Sequence, residues 1–289
     1  STDIISIPSL RVYTNSDQIF TCKNCGFVFV PNRRSSEEIA KSWSDEIFMT
    51  AKNPSEKHET FTAVRPAIKA RLMNVVETIN QELGLENKYL CDIGAGEGVF
   101  LNIIKKLYPQ TNLFGIEPSK INCELLEKNK IENFVGTLQD FHKAEIDKPK
   151  FDIITMSWTL ECTPSCVETM DMVYDLLKPD GFVVISTGSR ILVPFKKPLQ
   201  FYVGNEMQDT HSFRFSFNSL SNLMNITGFK PTFHNRFIDT DILCMIGQRK
   251  NKVSKENIKL LKDDYKTILS FFERWAKESK DHYSNWIDE

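Results

Sequence analysis

Tyr89 to Phe100 reads Y-L-C-D-I-G-A-G-E-G-V-F, and the rest of the chain is read outward from it. A short apolar run carries one acid, Asp92. Three glycines follow, Gly94, Gly96 and Gly98, with Ala95 between the first two. A helix-period segment then runs from Val99 to Leu107. The order is strand, tight turn, helix. Glycine reaches backbone torsions that other residues avoid, and its missing side chain lets a ligand approach the main chain. The turn delivers that ligand to a helix N-terminus, where amide N–H groups are unpaired.

Glycine turns of this kind often hold a pyrophosphate through the spacing G-x-G-x-x-G. Here the spacing is G-x-G-x-G, with an acid two residues ahead. A carboxylate there repels a diphosphate and suits a cationic amino group. A second acid, Glu117, ends the next apolar run in F-G-I-E-P-S. An acid about 20 residues beyond the turn commonly takes ribose hydroxyls. On these residues the chain resembles the class I S-adenosylmethionine-dependent methyltransferases. The resemblance implies a Rossmann-like α/β fold with a seven-stranded, mostly parallel sheet and helices on both faces. It also implies S-adenosylmethionine as cofactor and a small-molecule acceptor. Two rivals stand beside it: a degenerate fold acting as a non-catalytic adaptor, and an NAD-dependent oxidoreductase.

The chain has 289 residues and a formal charge of -2, which gives no bulk electrostatic argument for a nucleic-acid partner. No apolar run approaches the roughly 18 residues of a membrane span. Seven scattered cysteines fit a reducing cytoplasm better than a disulfide framework.

Four segments are expected. Residues 1–34 hold a C-x-x-C-G knuckle, Cys22 to Gly26, between two strand-like runs. Two thiolates at that spacing suit zinc, yet a structural zinc site takes four ligands, so Cys22 and Cys25 form an incomplete set. The segment resembles the second half of the zinc ribbon on methyltransferases of sugars and natural products. In those the first pair lies upstream, which here falls at or before Ser1. Residues 35–84 read as helical, opening on the cap Ser35-Ser-Glu-Glu38. Trp43, Phe48 and Phe61 are candidate pocket walls, with core packing the plainer role for each. Residues 85–250 alternate strand and helix as a parallel sheet requires. In that span Leu177 to Gly181 reads as a turn before a strand over 182–186. Residues 251–289 carry a stripe of Ile258, Leu261, Tyr265, Ile268, Phe272 and Trp275. A helix of that kind buries its stripe on the body or on a partner subunit, and an oligomer stays open.

The resemblance assigns the cofactor site to Asp92, Gly94, Ala95, Gly96, Gly98, Glu117 and Pro118. Thr137 and Leu138 match the place at the adenine edge, and Ser157 and Trp158 the place nearest the methyl group. Glu161 keeps the acid of a Glu-His pair found in many relatives, while Cys162 replaces the histidine. His211, in H-S-F-R-F-S, is the candidate general base, because imidazole titrates near neutrality. Tyr202, Asn205 and Arg214 are candidate acceptor contacts.

Overall fold

Seven strands form the central sheet of the computed structural model, which describes residues 3–7, 18–42, 66–192, 211–236, 242–252 and 254–287. Numbered in chain order, with β1–β3 and β9 in a second sheet, they are β4 Tyr89–Ile93, β5 Asn112–Glu117, β6 Glu132–Val135, β7 Phe151–Ser157, β8 Leu177–Thr187, β10 Phe229–His234 and β11 Leu243–Arg249. Their spatial order is β10-β11-β8-β7-β4-β5-β6. β8, β7, β4, β5 and β6 are parallel, and β11 and β10 close the edge antiparallel. The order reverses between β4 and β7, and open α/β sheets bind ligands in the crevice at such a switch point.

The central strands are apolar on both faces because helices cover both. Successive side chains point to opposite sides. Cys91, Ile93, Ile154, Met156, Val183 and Ile185 pack in one core layer, against Met170, Val173, Leu220 and Leu223. Leu90, Ile153 and Val184 pack in the other, with Val75, Ile79, Leu101 and Ile104. The expected turn at 177–181 is corrected: β8 already begins at Leu177. Its pairing jumps from Phe151↔Leu177 to Ile153↔Phe182, and Asp180 takes a left-handed φ of 57°. The turn is an irregularity within one strand.

A second sheet is built from both halves of the chain. Strands β1 Ile4–Ser6, β2 Phe20–Cys22, β3 Val28–Phe29 and β9 Phe213–Arg214 pair antiparallel in that order. The N-terminal segment is therefore joined to the main domain through β9. Phe27 stacks on Phe213 at 5.8 Å and meets Phe215 at 5.8 Å, which seals the joint. The C-x-x-C-G turn closes with Gly26 N donating to Cys22 O at 2.8 Å. Gly26 sits at φ 73°, with the Asp263 backbone where a side chain would go, so only glycine fits.

A helix over residues 36–42 follows. Its start is a reciprocal cap, Ser35 N to Glu38 Oε2 at 2.7 Å and Glu38 N to Ser35 Oγ at 3.2 Å. Trp43, Phe48, Phe61, Tyr202 and Asn205 lie outside the described residues. The C-terminal helix spans Tyr265–Ile287, so Ile258 and Leu261 of the expected stripe precede it. Leu261 is 40% exposed. Ile268 and Phe272 are buried against Ile7, Ile19, Val28 and Val30 of the N-terminal sheet. No helix among the described residues is long and apolar enough to cross a membrane.

The docked helix makes a local prediction. Phe272→Ala leaves a cavity worth about 3–5 kcal/mol. Native-state hydrogen exchange is expected to quicken at the amides of residues 20–30 and to stay unchanged in β4 and β7. Equal acceleration in both sheets would show that the small sheet and the helix are not a separate packing unit.

Candidate active site

Asp92 and Glu117 end neighbouring parallel strands, and the glycine loop passes between them. Both are buried, at 2% and 5% exposure. Asp92 Oδ1 accepts the Thr155 hydroxyl at 2.6 Å from the adjoining β7. Burial, opposed by that bond and reinforced by the charge of Glu117, pushes Asp92 up to about 7. Glu117 is also raised by burial, against the pull of its hydrogen bonds. Its Oε2 accepts Gly96 N at 2.9 Å, and its Oε1 accepts Ser119 N at 2.9 Å and Asn122 Nδ2 at 3.3 Å. A carboxylate offers about four acceptor positions, so Glu117 is held rigidly with one position, on Oε2, left over.

The three glycines do different work. A side chain on Gly94 would meet Thr159 Oγ1 at 2.4 Å, and one on Gly98 would meet Leu126 Cδ2 at 2.3 Å. These two are fixed by packing inside the protein. Gly96, at φ 54°, has nothing among the described residues within 4 Å of where a side chain would begin. Its backbone is the part of the loop that the described residues leave uncovered, beside the carboxylate that its N–H reaches. Ala95 is 7% exposed and belongs to the core. The helix after the loop, Val99–Leu107, carries no side-chain cap at Gly98.

Pro118 follows Glu117 and is half-buried; Ser119 caps the helix Lys120–Lys128. Thr137 spends its hydroxyl on a capping box, donating to Asp140 Oδ2 at 2.6 Å and accepting Asp140 N at 3.2 Å. Leu138 is a core residue at 5% exposure. An adenine edge at these two positions would meet backbone rather than their side chains.

The tip of β7 is strained and tied down. Trp158 takes φ 57°, an outlier for a bulky residue. Its indole lies so close to Gly188 that an added Cβ there would be 2.5 Å from Nε1. Ser157 Oγ accepts the Ser186 hydroxyl at 2.9 Å, and the Thr159 hydroxyl donates to Ile93 O at 2.9 Å. The loop after β7 is thus fastened to the tips of both β4 and β8. Backbone strain held in this way clusters at functional sites.

Glu161 and His211 are brought together although 50 positions separate them. Glu161 lies in a short 3₁₀ turn, Leu160–Cys162, and is fully buried. Its Oε1 accepts the Thr187 hydroxyl at 2.6 Å, and its Oε2 has no conventional hydrogen bond among the described residues. Burial raises its pKa; the charge of His211, the Thr187 hydroxyl and the amides of residues 161 and 188 pull it back. His211 Nδ1 lies 2.9 Å from Ser189 Oγ. Arg214 is buried in β9, opposite Val28. Thr155, Thr159, Thr187, Ser189 and Asn122 complete the site without having been singled out from sequence. Their one common signal is a polar residue at a strand end or in a first helical turn.

Cys22 and Cys25 do not make a metal centre among the described residues, where no group of three His, Cys, Asp or Glu could hold an ion. Burial comes first among the causes that raise Cys25. The knuckle packs on Asp263, whose N–H donates to Cys25 O at 3.2 Å.

A family model described as a methyltransferase domain matches residues 64–232. Malonyl-[acyl-carrier protein] O-methyltransferase of Calditerrivibrio nitroreducens is 28% identical over 149 residues, 48% of this chain and 54% of that one. Ubiquinone biosynthesis O-methyltransferase of Shewanella halifaxensis is 29% identical over 110 residues, 37% of this chain and 46% of that one. The chain spans about half the length of the curated relatives it matches. In fold it is similar to the 1,6-didemethyltoxoflavin-N1-methyltransferase of Burkholderia thailandensis, solved with S-adenosylhomocysteine. There the TM-score is 0.53 at 13% identity, covering 78% of this chain and 96% of that one. The magnesium protoporphyrin IX methyltransferase of Synechocystis gives a TM-score of 0.51 at 10% identity, covering 76% and 99%.

The buried Asp92 predicts how stability depends on pH. Its folded pKa of about 7 stands above the ordinary 3.8, so the native state binds the proton more tightly than the unfolded chain does. Its contribution is fully present below about pH 4 and is lost as pH rises to about 7. Asp92→Asn is expected to raise the melting temperature at pH 8 and to flatten that part of the profile. A variant less stable than the parent at pH 8 would contradict this.

Proposed function

The chain belongs to the methyltransferase-domain family, and on that premise we propose that it transfers the methyl group of S-adenosylmethionine to an oxygen of a small-molecule acceptor. The observation that carries the reading is the pair of buried carboxylates around Gly96. Asp92 is held near neutral pKa with no cation beside it among the described residues, and an ammonium group placed there would ionise it. Asp92 would therefore hold the amino end of the cofactor, Glu117 the ribose, and Gly96 would give the backbone room to approach. A dinucleotide fits poorly, since its diphosphate would face two buried acids.

The bound sulfonium supplies an activated methyl group, so the protein's task is chiefly alignment in a site shielded from water. His211 would take the proton of an acceptor hydroxyl. The buried Glu161 beside it favours the charged imidazolium that results. An oxygen acceptor accords with the sequence relatives, which are named O-methyltransferases. A sugar or nucleotide-linked sugar rests on the zinc-ribbon resemblance alone, and a hydroxyl-bearing metabolite is the broader reading.

Calorimetry with S-adenosylhomocysteine tests the cofactor site. Affinity is expected to fall about tenfold per pH unit below about 7, as the amino group must compete with a proton on Asp92. Asp92→Asn and Glu117→Ala should each weaken binding at least tenfold, about the worth of one charge-assisted hydrogen bond. Binding that is flat from pH 5.5 to 8.5, or a preference for NAD, would sink the assignment.

His211 is tested with methyl-labelled S-adenosylmethionine and a panel of hydroxyl, phenol and carboxyl acceptors. His211→Gln is expected to slow turnover about 100-fold or more while leaving S-adenosylhomocysteine affinity unchanged. Tight cofactor binding with no turnover on any acceptor would favour a non-catalytic adaptor.

A further inference from the structure

We propose that Ser189 is a positioning residue that holds the His211 imidazole in its Nδ1–H tautomer, with the lone pair on Nε2. The inference rests on the reading of His211 as the base.

The C-terminal end of β8 carries a chain of hydrogen bonds whose directions can be followed. Ser189 N donates to Thr187 Oγ1 at 3.1 Å. A hydroxyl has one proton, and that of Thr187 goes to Glu161 Oε1 at 2.6 Å. Thr187 and Glu161 are wholly buried and Ser189 is 5% exposed, so none of them exchanges partners with solvent freely. The Ser189 main chain is also fixed, because its carbonyl accepts Phe215 N at 3.0 Å. The segment carrying His211 into β9 is held in turn by Val30 N, which donates to Ser212 O at 3.0 Å. Serine and imidazole therefore sit on two segments locked to each other, with Oγ and Nδ1 2.9 Å apart.

A hydroxyl facing an imidazole nitrogen can donate or accept. The cycle of a base decides between them. Imidazolium donates from both nitrogens, so Ser189 must accept from Nδ1 once the ring is charged. The Nδ1–H tautomer keeps that bond in the neutral ring as well. The opposite tautomer would require the buried hydroxyl to turn over with every proton taken. The negative charge of Glu161, held in place through Thr187, favours the charged ring and hence the arrangement common to both states.

The tautomer can be read without an acceptor. In protein labelled with ¹⁵N-histidine, ring shifts at about pH 9, where an ordinary imidazole is neutral, separate protonated from bare nitrogens. Five histidines are present, and His211→Gln identifies the signal. The parent is expected to show His211 with Nδ1 protonated and Nε2 bare. Ser189→Ala should make the Nε2–H form, which a free histidine side chain prefers, the major one. Ser189→Thr, which keeps the hydroxyl, should retain the parent signature. An Nε2–H ring in the parent would overturn the proposal by itself, whatever the variants do. So would an alanine variant with the parent's tautomer. Loss of S-adenosylhomocysteine binding by the parent would count against the cofactor reading and leave the tautomer result standing.

Discussion

Two carboxylates that burial would rather see neutral are held at adjoining strand tips, and the rest of the site is arranged around that cost. Among the described residues Asp92 has one hydroxyl donor and no cation, while Glu117 has three donors from the loop and the following helix. The difference separates their roles. Glu117 spends three acceptor positions on the protein, which sets the height of the glycine loop, and keeps one on Oε2 for a ribose hydroxyl. Asp92 is left short of positive charge, as a group that meets its partner only when a ligand arrives should be. The parallel sheet makes the arrangement available, because β4 and β5 end side by side and β7 supplies Thr155 from the other flank.

The second half of the site depends on chain connections that are remote in sequence. Glu161 comes from the turn after β7, Thr187 and Ser189 from the end of β8, and His211 from the segment leading into β9. That last segment is also the edge strand of the N-terminal sheet, and the C-terminal helix packs behind that sheet. The small sheet and its helix therefore back the strand that directly follows the candidate base. This gives the C-x-x-C-G hairpin a structural purpose: it turns tightly, packs on Asp263 and presents β3 to β9.

The sheet was legible because its signals are local and strong. Short continuous apolar runs, crossover helices and a glycine turn followed by an acid on the next strand each occupy a few contiguous residues. Asp92, Glu117 and Gly96 stand out for the same reason. The pairing of Glu161 with His211 could be suspected only by resemblance, since no local pattern links a 3₁₀ turn to a segment 50 residues on. Ser189 and Thr187 carried no signal beyond being small polar residues after an apolar strand. The C-terminal stripe was overread. Ile258 and Leu261 fit a helical period, yet the chain there is held extended by Asn222, which exchanges hydrogen bonds with the Leu261 backbone at 2.7 and 2.9 Å. Tertiary contacts of that kind override periodicity and are invisible to it. Nor could the sequence separate the glycines held by packing, Gly94 and Gly98, from the one that the described residues leave uncovered.

The central claim is that Asp92 waits for a cation. Carboxyl ¹³C resonances of aspartate-labelled protein, titrated with and without S-adenosylhomocysteine, test it directly. Asp92 is expected to titrate near 7 alone and to stay ionised to well below pH 6 with the ligand bound. An Asp92 that titrates as an ordinary surface aspartate, or whose titration the ligand does not move, would contradict the account.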